Sequence, residues 1–151
     1  MPDGIDKMIL NLLQQDAKLT IRDIAERLSL TTTPVHERIK KLEKEGVIQG
    51  YRAIVDAEKV DKAQVVLLNL HMEQYTPENI TAFEKLVNET PEVLECFHLA
   101  GTVDYQLKVV VKDIKEYDAF LMRMAQVNIV SVVSSLIVLH RVKESTQLLL
   151  T

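Results

Sequence analysis

The stretch TTTPVHERIKKLEKEG, residues 31–46, has the start, the interior and the end of a single helix. Thr31 or Thr33 can accept a hydrogen bond from an N–H group of the first turn, and Pro34 is tolerated in that turn. Gly46 suits the left-handed residue that commonly follows a helix end. The stretch therefore predicts a helix that ends just before this glycine.

The two faces of this helix differ in chemistry. At about 100° per residue, Val35, Ile39 and Leu42 share one apolar face, and the opposite face is polar and mostly basic. A helix that lies in the major groove of DNA needs this arrangement, because one face packs on its own domain and the other meets the nucleic acid. A solvated surface helix has the same pattern, so the preceding residues decide between the two interpretations.

Two further helical patterns precede the basic helix. Asp3 and Asp6 have the spacing of a capping box, and apolar residues then repeat at helical spacing, which predicts a helix over residues 4–15. Thr20 and Asp23 repeat the capping pattern before a short second helix, and a tight turn follows it. A short helix, a tight turn and a longer basic helix form the helix-turn-helix arrangement.

The helix-turn-helix carries the residues expected to contact DNA. The polar residues near the helix start, together with Lys40, are candidates for base edges, and the later lysines suit phosphates. Arg38 lies beside the apolar ridge rather than opposite it, so a role in the fold or in positioning a phosphate is expected in preference to base reading. Arg52, beyond the helix, either reaches a phosphate or is solvated. The expected DNA-binding residues are Thr31, Thr32, Thr33, His36, Arg38, Lys40, Lys41, Lys44 and Arg52.

The sequence divides into two domains. Residues 47–56, VIQGYRAIVD, predict a strand that leaves the DNA-binding unit, and the polar residues 56–63 are the expected linker. We therefore expect a winged-helix-like helix-turn-helix domain at 1–55 and a second domain at 64–151. Residues 1–60 carry ten of the 18 basic and ten of the 22 acidic residues, so the net charge of −4 arises in the remainder. A neutral segment can still bind DNA if its cations cluster on one face.

The second domain alternates strands and helices. One helix is predicted to open at Thr76-Pro77 and another to contain Tyr117, Phe120, Leu121 and Met124. The predicted strands are residues 64–74, 93–99, 105–111 and 130–142. The order β-α-β-β-α-β predicts an α+β, ferredoxin-like domain, with both helices on one face of a four-stranded antiparallel sheet.

The last predicted strand is apolar on both faces. Simple alternation assigns Val132 and Leu136 to one face, and Val133 and Ile137 to the other. The open face of such a sheet should be polar in a monomer, and this one is not polar enough. A second subunit is the simplest cover for it.

Composition excludes several other classes. The chain has 151 residues, 47% of them apolar and 26% charged, with no run long enough to cross a bilayer and no signal-like start, so the cytoplasm is expected. The single cysteine, Cys96, excludes an internal disulfide and is expected to be a buried hydrophobe. His71, His98 and His140 lack the spacing of metal ligands, and no catalytic motif or phosphate loop is present. We therefore expect no metal, no cofactor and no enzyme activity.

Three stretches resemble the Lrp/AsnC family, the feast/famine regulators of bacteria and archaea. The family's first two helices resemble IDKMILNLLQQDAKLTIRDIAERLSL, and its recognition helix with the following strand resembles LTTTPVHERIKKLEKEGVIQGYRA. The effector-domain signature, a Gly-x-x-Asp-Tyr turn followed by a strand and an Asp before the second helix, is similar to GTVDYQLKVVVKDIKEYDAF. The three stretches occur in the family order and cover essentially the whole chain.

This resemblance implies a transcription regulator with two functional parts. Its helix-turn-helix would bind double-stranded DNA, and its ferredoxin-like domain would form homodimers and higher oligomers, often octamers. A small-molecule effector, usually an amino acid, would bind where dimers meet. The effector residues implied by the resemblance are Gly101, Thr102, Val103, Asp104, Tyr105, Ser134 and Ser135.

Several of these residues have simpler interpretations. A turn between apolar strands often needs positive φ, so Gly101 is either a plain turn residue or part of a ligand-contacting loop. Asp104 can receive an ammonium group or cap its own turn. Val133 stands where many family members have Thr, and the Pro-Gly that usually precedes the last strand is replaced by residues 127–129. A less polar pocket is therefore expected, with an amino acid of apolar or small side chain as its ligand.

Two other functions fit parts of the sequence. A DNA-organising protein without an effector would need only the DNA-binding half and the oligomer. Siroheme decarboxylases resemble the family in fold, but they would need cations in the C-terminal domain to hold a tetrapyrrole with many carboxylates. Arg123 and Arg141 are the only arginines after Arg52, and the helix-turn-helix looks intact, which favours the regulator.

Overall fold

The computed structural model describes all of residues 1–151, and the chain forms two compact units. One unit consists of residues 1–54 together with 143–151, and the other of residues 55–142. The first boundary lies close to the expected linker. The last nine residues were expected in the second domain, but they pack with the first.

Three helices form the first unit: α1 at Gly4–Gln15, α2 at Ile21–Leu28 and α3 at Thr32–Lys44. Capping boxes begin the first two, as predicted, because Asp3 and Thr20 each accept a bond from the backbone N–H three residues later. The apolar faces of all three helices meet in one core. The fully buried side chains of this core are Ile9, Ile24, Ala25 and Val35.

The connection between α2 and α3 is three residues long. Ser29, which ends α2, has φ of 55°, in the left-handed region, and the N–H of Leu30 donates to the carbonyl of Ala25 at 2.9 Å. This tight turn aims α3 away from α2. The helix-turn-helix prediction is confirmed.

The predicted strand at residues 47–56 is absent. This segment is neither helix nor strand, and the side chain of Ile54 is 98% exposed. The prediction was wrong because β-branched and aromatic composition indicates only a preference, and no strand of this chain lies beside the segment to supply hydrogen bonds.

The last residues of the chain run along α1. Asn11 Nδ2 donates to the carbonyl of Leu150 at 3.0 Å, and the Gln14 amide exchanges two bonds with the backbone of Leu148, at 2.7 and 3.0 Å. Lys7 Nζ donates to the carbonyl of Thr151. Polar side chains of α1 thus hold the tail by its backbone.

The second unit has the predicted β-α-β-β-α-β order. After a 3₁₀ turn at Glu58–Val60, its elements are β1 at Gln64–Met72, α4 at Pro77–Asn88, β2 at Val93–His98, β3 at Tyr105–Val111, α5 at Ile114–Ala125 and β4 at Val130–Ile137. The strands pair antiparallel in the spatial order β2-β3-β1-β4. This is the expected ferredoxin-like sheet.

Both helices cover the same face of this sheet. Leu68 of β1 and Leu107 of β3 are fully buried on that face with Phe83 of α4 and Phe120 of α5. On the other face, Phe97, Leu136 and other apolar side chains remain exposed. We call the face without helices the open face. No helix of the protein is long and apolar enough to span a bilayer.

Strand β4 ends earlier than predicted, at residue 137 instead of 142. Its only partner is β1, which begins at Gln64, and the last bond between them runs from the N–H of Val138 to the carbonyl of Val65 at 2.9 Å. Beyond that point no backbone partner remains, so the apolar sequence continues without strand structure.

A bulge in β4 also changes which side chains share a face. The register shifts at Val133, which has no partner in β1. Val132 therefore pairs with Leu70 and faces the helices, whereas Leu136 pairs with Leu67 on the open face. The prediction that Val132 and Leu136 share a face was wrong, because simple alternation takes no account of a bulge.

Candidate DNA interface and effector region

The basic face of α3 is exposed along its second half. Lys40, Lys41 and Lys44 all lie at the surface, and neither Lys40 nor Lys44 forms an ion pair. Lys41 lies 4.0 Å from Glu45, a distance at which a surface ion pair is weak. With Val35 and Leu42 buried on the opposite side, α3 has the predicted two faces.

The first turn of α3 lies next to the first turn of α2. A surface groove between them is lined by Thr20, Ile21, Arg22, Thr32, Thr33 and His36. Helix N-termini present unpaired N–H groups and attract anions, so this groove suits a phosphate of the DNA backbone. The N-cap Thr20 and the first two residues of α2, Ile21 and Arg22, were not among the expected DNA-binding residues. The signal was available, because the capping box at Thr20 already marked a helix N-terminus.

Arg38 has a structural role within the domain. Its guanidinium donates to Asp3 Oδ2 and Asp6 Oδ1, both at 2.6 Å, and so ties α3 to the start of α1. The two carboxylates raise the pKa of Arg38, Asp3 contributing more than Asp6. Of the two roles that the sequence left open, the structure supports the fold-supporting one.

The residues after α3 return towards the helix. The N–H groups of Val47 and Ile48 both bond to the carbonyl of Leu42, and the Tyr51 hydroxyl donates to Glu43 Oε1 at 2.9 Å. Burial, and then the Glu43 carboxylate, raise the pKa of Tyr51 to about 12. Arg52 is exposed, as is Thr31 at the start of α3.

In the second unit, Asp104 is bound by its own fold. Its Oδ2 accepts the backbone N–H of Met72 at 2.8 Å and lies 3.2 Å from His71 Nδ1. The Met72 bond, together with His71, lowers the pKa of the Asp104 carboxyl. The backbone N–H of Asp104 donates to the carbonyl of Leu70 at 3.0 Å. Asp104 thus fastens the turn before β3 to the end of β1, and only Oδ1 lacks a partner.

The other residues of the Gly-x-x-Asp-Tyr turn differ in accessibility. Gly101 and Thr102 are exposed, and Val103 is partly buried. Gly101 does not have positive φ, and a Cβ there would meet nothing within 4 Å, so the expected conformational need for glycine is absent. Tyr105 points into the core, 2% exposed, with its ring 4.6 Å from Phe83 and its hydroxyl without a partner.

The two serines of β4 lie on opposite faces of the sheet, as expected. Ser134 pairs with Asn69 and accepts a bond from its Nδ2 at 2.9 Å on the open face. Ser135 faces the helices, where the Tyr117 hydroxyl donates to it at 2.6 Å. The structure therefore does not bring the two hydroxyls together with the turn into one pocket.

Cys96 is exposed, so the expectation of a buried cysteine was wrong. It lies on β2, an edge strand, and faces the helices. Desolvation, and then the Glu84 carboxylate on α4, raises the pKa of its thiol. No group of three or more His, Cys, Asp or Glu side chains is arranged to hold a metal ion.

A helix-turn-helix with an exposed basic helix, followed by a ferredoxin-like domain, defines a DNA-binding protein with a separate second module. Residues 2–49 match the family described as winged helix-turn-helix DNA-binding, and residues 65–148 match the Lrp/AsnC ligand binding domain. The chain belongs to the Lrp/AsnC family of transcriptional regulators.

Individual relatives match over nearly their full length. The DNA-binding transcriptional activator DecR of Escherichia coli K12 is 37% identical, over 98% of both chains. The crystal structure of an AsnC family transcriptional regulator from Agrobacterium tumefaciens has a TM-score of 0.90 and 37% identity, covering 97% of this chain and 95% of that one. A transcriptional regulator of Neisseria meningitidis in complex with L-Met has a TM-score of 0.92 and 29% identity, covering 98% and 96%.

Proposed function

We propose that this regulator binds DNA through the basic face of α3 and the groove at the start of α2, and that it responds to an amino acid of apolar side chain. The observation that carries the DNA interface is the exposed row of Lys40, Lys41 and Lys44 opposite the buried face of α3. Arg38 is left out of the contact set because two carboxylates hold it.

The salt dependence of DNA binding tests this interface. Each phosphate contact adds about 0.9 to the slope of log affinity against log salt, so changing the three lysines to Ala should reduce the slope by roughly 1.8–2.7 per subunit, the lower value if only Lys41 and Lys44 contact phosphates. A matched control changes Lys85, Lys112 and Lys115, which are exposed on the second unit, to Ala. Both triple variants lose the same charge. Equal slopes for the two would refute the assignment to α3.

Assembly of subunits is proposed to use the open face of the sheet. Phe97 and Leu136 leave about half of their surface exposed there, at 47% and 51%. Apolar area of this kind favours burial against another subunit. In light scattering, Leu136→Asp should dissociate the wild-type oligomer, whereas Met122→Asp, at a 62% exposed position of α5, should not. An unchanged oligomer in the first variant would place the interface elsewhere.

The effector is proposed to bind near Asp104. The Neisseria meningitidis relative holds L-Met, an amino acid of apolar side chain, and Val133 replaces a family hydroxyl in this chain. The unpartnered Oδ1 of Asp104 remains available for an ammonium group. The L-Met complex of the relative and the presence of Val133 support methionine and similar amino acids over Asn or Asp. The Asp104 oxygen would accept the ammonium group of any amino acid.

Calorimetry on two carboxylate variants tests this region. Asp104→Asn keeps an acceptor for the Met72 N–H but removes the charge, and it should weaken L-Met binding about ten- to a hundred-fold. Asp113→Asn, a matched change at the N-cap of α5, should bind as wild type does. Equal affinities would remove Asp104 from the site, and no binding of any amino acid to wild type would favour the effector-independent DNA-organising alternative.

The remaining parts of the proposal follow from the family. Regulators match along almost the whole chain, which favours regulation over siroheme-type decarboxylation. A protein that binds chromosomal DNA works in the cytoplasm of a bacterial or archaeal cell, and we propose that location here.

A further inference from the structure

One side of α1 carries a row of polar side chains that the DNA interface does not use. Lys7, Asn11 and Gln14 follow the spacing i, i+4, i+7, so they share the side of the helix opposite the buried Ile9. We call these three residues the α1 row. Each of them bonds to main-chain atoms of the tail, at residues 148–151.

The side chains of the tail contribute little to this attachment. Leu148 and Leu149 keep most of their surface in water. A leucine that remains in water gains almost nothing from the hydrophobic effect, so the attachment depends on the hydrogen bonds to the α1 row. Substitutions in the row can therefore release the tail without disturbing the buried core of the three helices.

The attached tail joins the two units a second time. The chain leaves the first unit after residue 54 and returns to it after residue 142. Residues 52–55 lie between the Tyr51 bond to α3 and the turn at Asp56, and they contain no helix or strand. Two domains joined by one short irregular segment are by default expected to move relative to each other.

The second connection limits this freedom. The last bond between β4 and β1 starts at the N–H of Val138, and the bonds of the tail to α1 begin at Leu148. The ten steps from residue 138 to residue 148 span at most roughly 33–36 Å when fully extended. With the tail attached, the first unit keeps only those orientations for which this length suffices.

The freedom of the first unit matters when two copies bind one DNA duplex. Helix-turn-helix dimers bind half-sites about 34–36 Å apart, one turn of the DNA helix. Recognition helices held within a narrow range of orientations accept one spacing of half-sites. Units that swivel accept several spacings, and they lose more orientational freedom on binding, which weakens the complex.

We infer that Asn11 and Gln14 are positioning residues for DNA binding: by holding the tail on α1, they restrict the DNA-binding unit to orientations that fit one spacing of half-sites. This inference rests on the proposed DNA interface of α3 and on the proposed assembly of subunits. The two side chains need not touch DNA, because the tail engages their amides.

Selection of DNA sites in vitro tests this role. Full-length wild type and Asn11→Ala/Gln14→Ala each enrich sites from random duplexes, and the spacing of paired half-sites is read from the sequenced pools. Ala is the strongest helix former, so α1 is retained. The matched control is Gln15→Ala, which removes an amide from the next position of α1, where the side chain is exposed and has no partner.

Wild type and Gln15→Ala should enrich one spacing, and the double variant several, with the same half-site sequence in all pools and the same oligomer in light scattering. On a duplex with two half-sites at the wild-type spacing, the double variant should bind about three- to ten-fold more weakly. Its affinity for a single half-site should equal that of wild type.

The other outcomes overturn the inference in distinguishable ways. One narrow spacing in the double variant removes the positioning role and leaves the DNA interface of α3 standing. A changed half-site sequence, a weakened single half-site or a changed oligomer also overturns it, because the α1 row would then act on DNA reading or on assembly. No enriched site with wild type would overturn the proposed DNA interface together with the inference.

Changes in the tail provide a second measurement that leaves α1 untouched. Leu148→Pro removes the N–H that donates to Gln14 Oε1, so it should broaden the spacing as the α1 variant does. Leu149→Pro places the same ring at an N–H that has no partner, and it should keep the wild-type spacing. Identical spacing distributions for the two proline variants would contradict a positioning role of the tail.

Discussion

The pair formed by Asp6 and Arg38 offers a sharp test of how the DNA-binding unit is stabilised. Asp6 is only 2% exposed, and its carboxylate accepts both the Arg38 guanidinium at 2.6 Å and the N–H of Asp3 at 3.1 Å. Arg38→Met keeps a long apolar side chain but removes every donor. Asp6→Asn keeps an acceptor for the Asp3 N–H but removes the charge. Together with the double variant they form a thermodynamic cycle.

The burial of the two partners sets the expected magnitude. A hydrogen bond to a charged group contributes about 1.5–3 kcal/mol to the free energy of unfolding. The Arg38 side chain keeps 30% of its surface in water, so the lower part of that range applies, and we expect a coupling of about 1.5–2 kcal/mol. For a unit of this size, each 1 kcal/mol lowers the Tm by about 4–8 °C.

Native-state hydrogen exchange is the appropriate assay, because it reports on α1 and α3 separately from the second unit. Amides of both helices should lose protection in Arg38→Met, and little more in the double variant. The salt slope of DNA binding should remain that of wild type, in contrast to the matched variant Lys44→Met, whose slope should fall by about 0.9. Unchanged protection together with a reduced slope in Arg38→Met would refute the reasoning and make Arg38 a phosphate contact.

Three further outcomes can be measured directly. Phe120→Ala should destabilise the second unit by about 3–5 kcal/mol in thermal unfolding, because this fully buried ring would leave a cavity; a loss below 1 kcal/mol would contradict its place in the core. Bonds from the N–H groups of Glu116 and then Lys115 lower the pKa of Asp113, so its contribution is present above the unfolded pKa and lost as pH falls through the folded one. Asp113→Asn should therefore be somewhat less stable than wild type at pH 7 and lose less stability on acidification, and identical acid titrations would exclude this effect. Removal of residues 148–151 should increase hydrogen exchange in α1, and unchanged exchange would show that the tail does not dock there.

Local periodicity was sufficient to predict the helices and strands whose apolar face is covered within the chain. The helix predicted over 4–15 is α1, because capping and 3.6-residue spacing are properties of the segment itself. The β-α-β-β-α-β order of the second unit could be predicted in the same way, from the periodicity of each segment. Strand pairing then needed only the antiparallel topology that this order favours.

Features that depend on distant partners were not accessible in this way. Residues 47–56 have strand composition but no neighbouring strand, and the bulge at Val133 is defined only by its register with β1. Arg38 meets Asp3 and Asp6 across more than 30 residues, so its role could be narrowed to two possibilities but not chosen. Within the candidate sites, the exposed lysines of α3 were predicted, whereas the contribution of α2 to the groove was missed.

The attachment of residues 143–151 to α1 has a consequence for the order in which the protein is completed on the ribosome. The bonds that hold the tail join residues 134–144 positions apart, so the N-terminal helices emerge long before the segment that binds them. Because domains generally fold as they emerge, the three helices and then the sheet can form first. The DNA-binding unit then becomes complete only after the second unit has been synthesised, so a ribosome that stops early releases a chain whose first unit lacks its final contact.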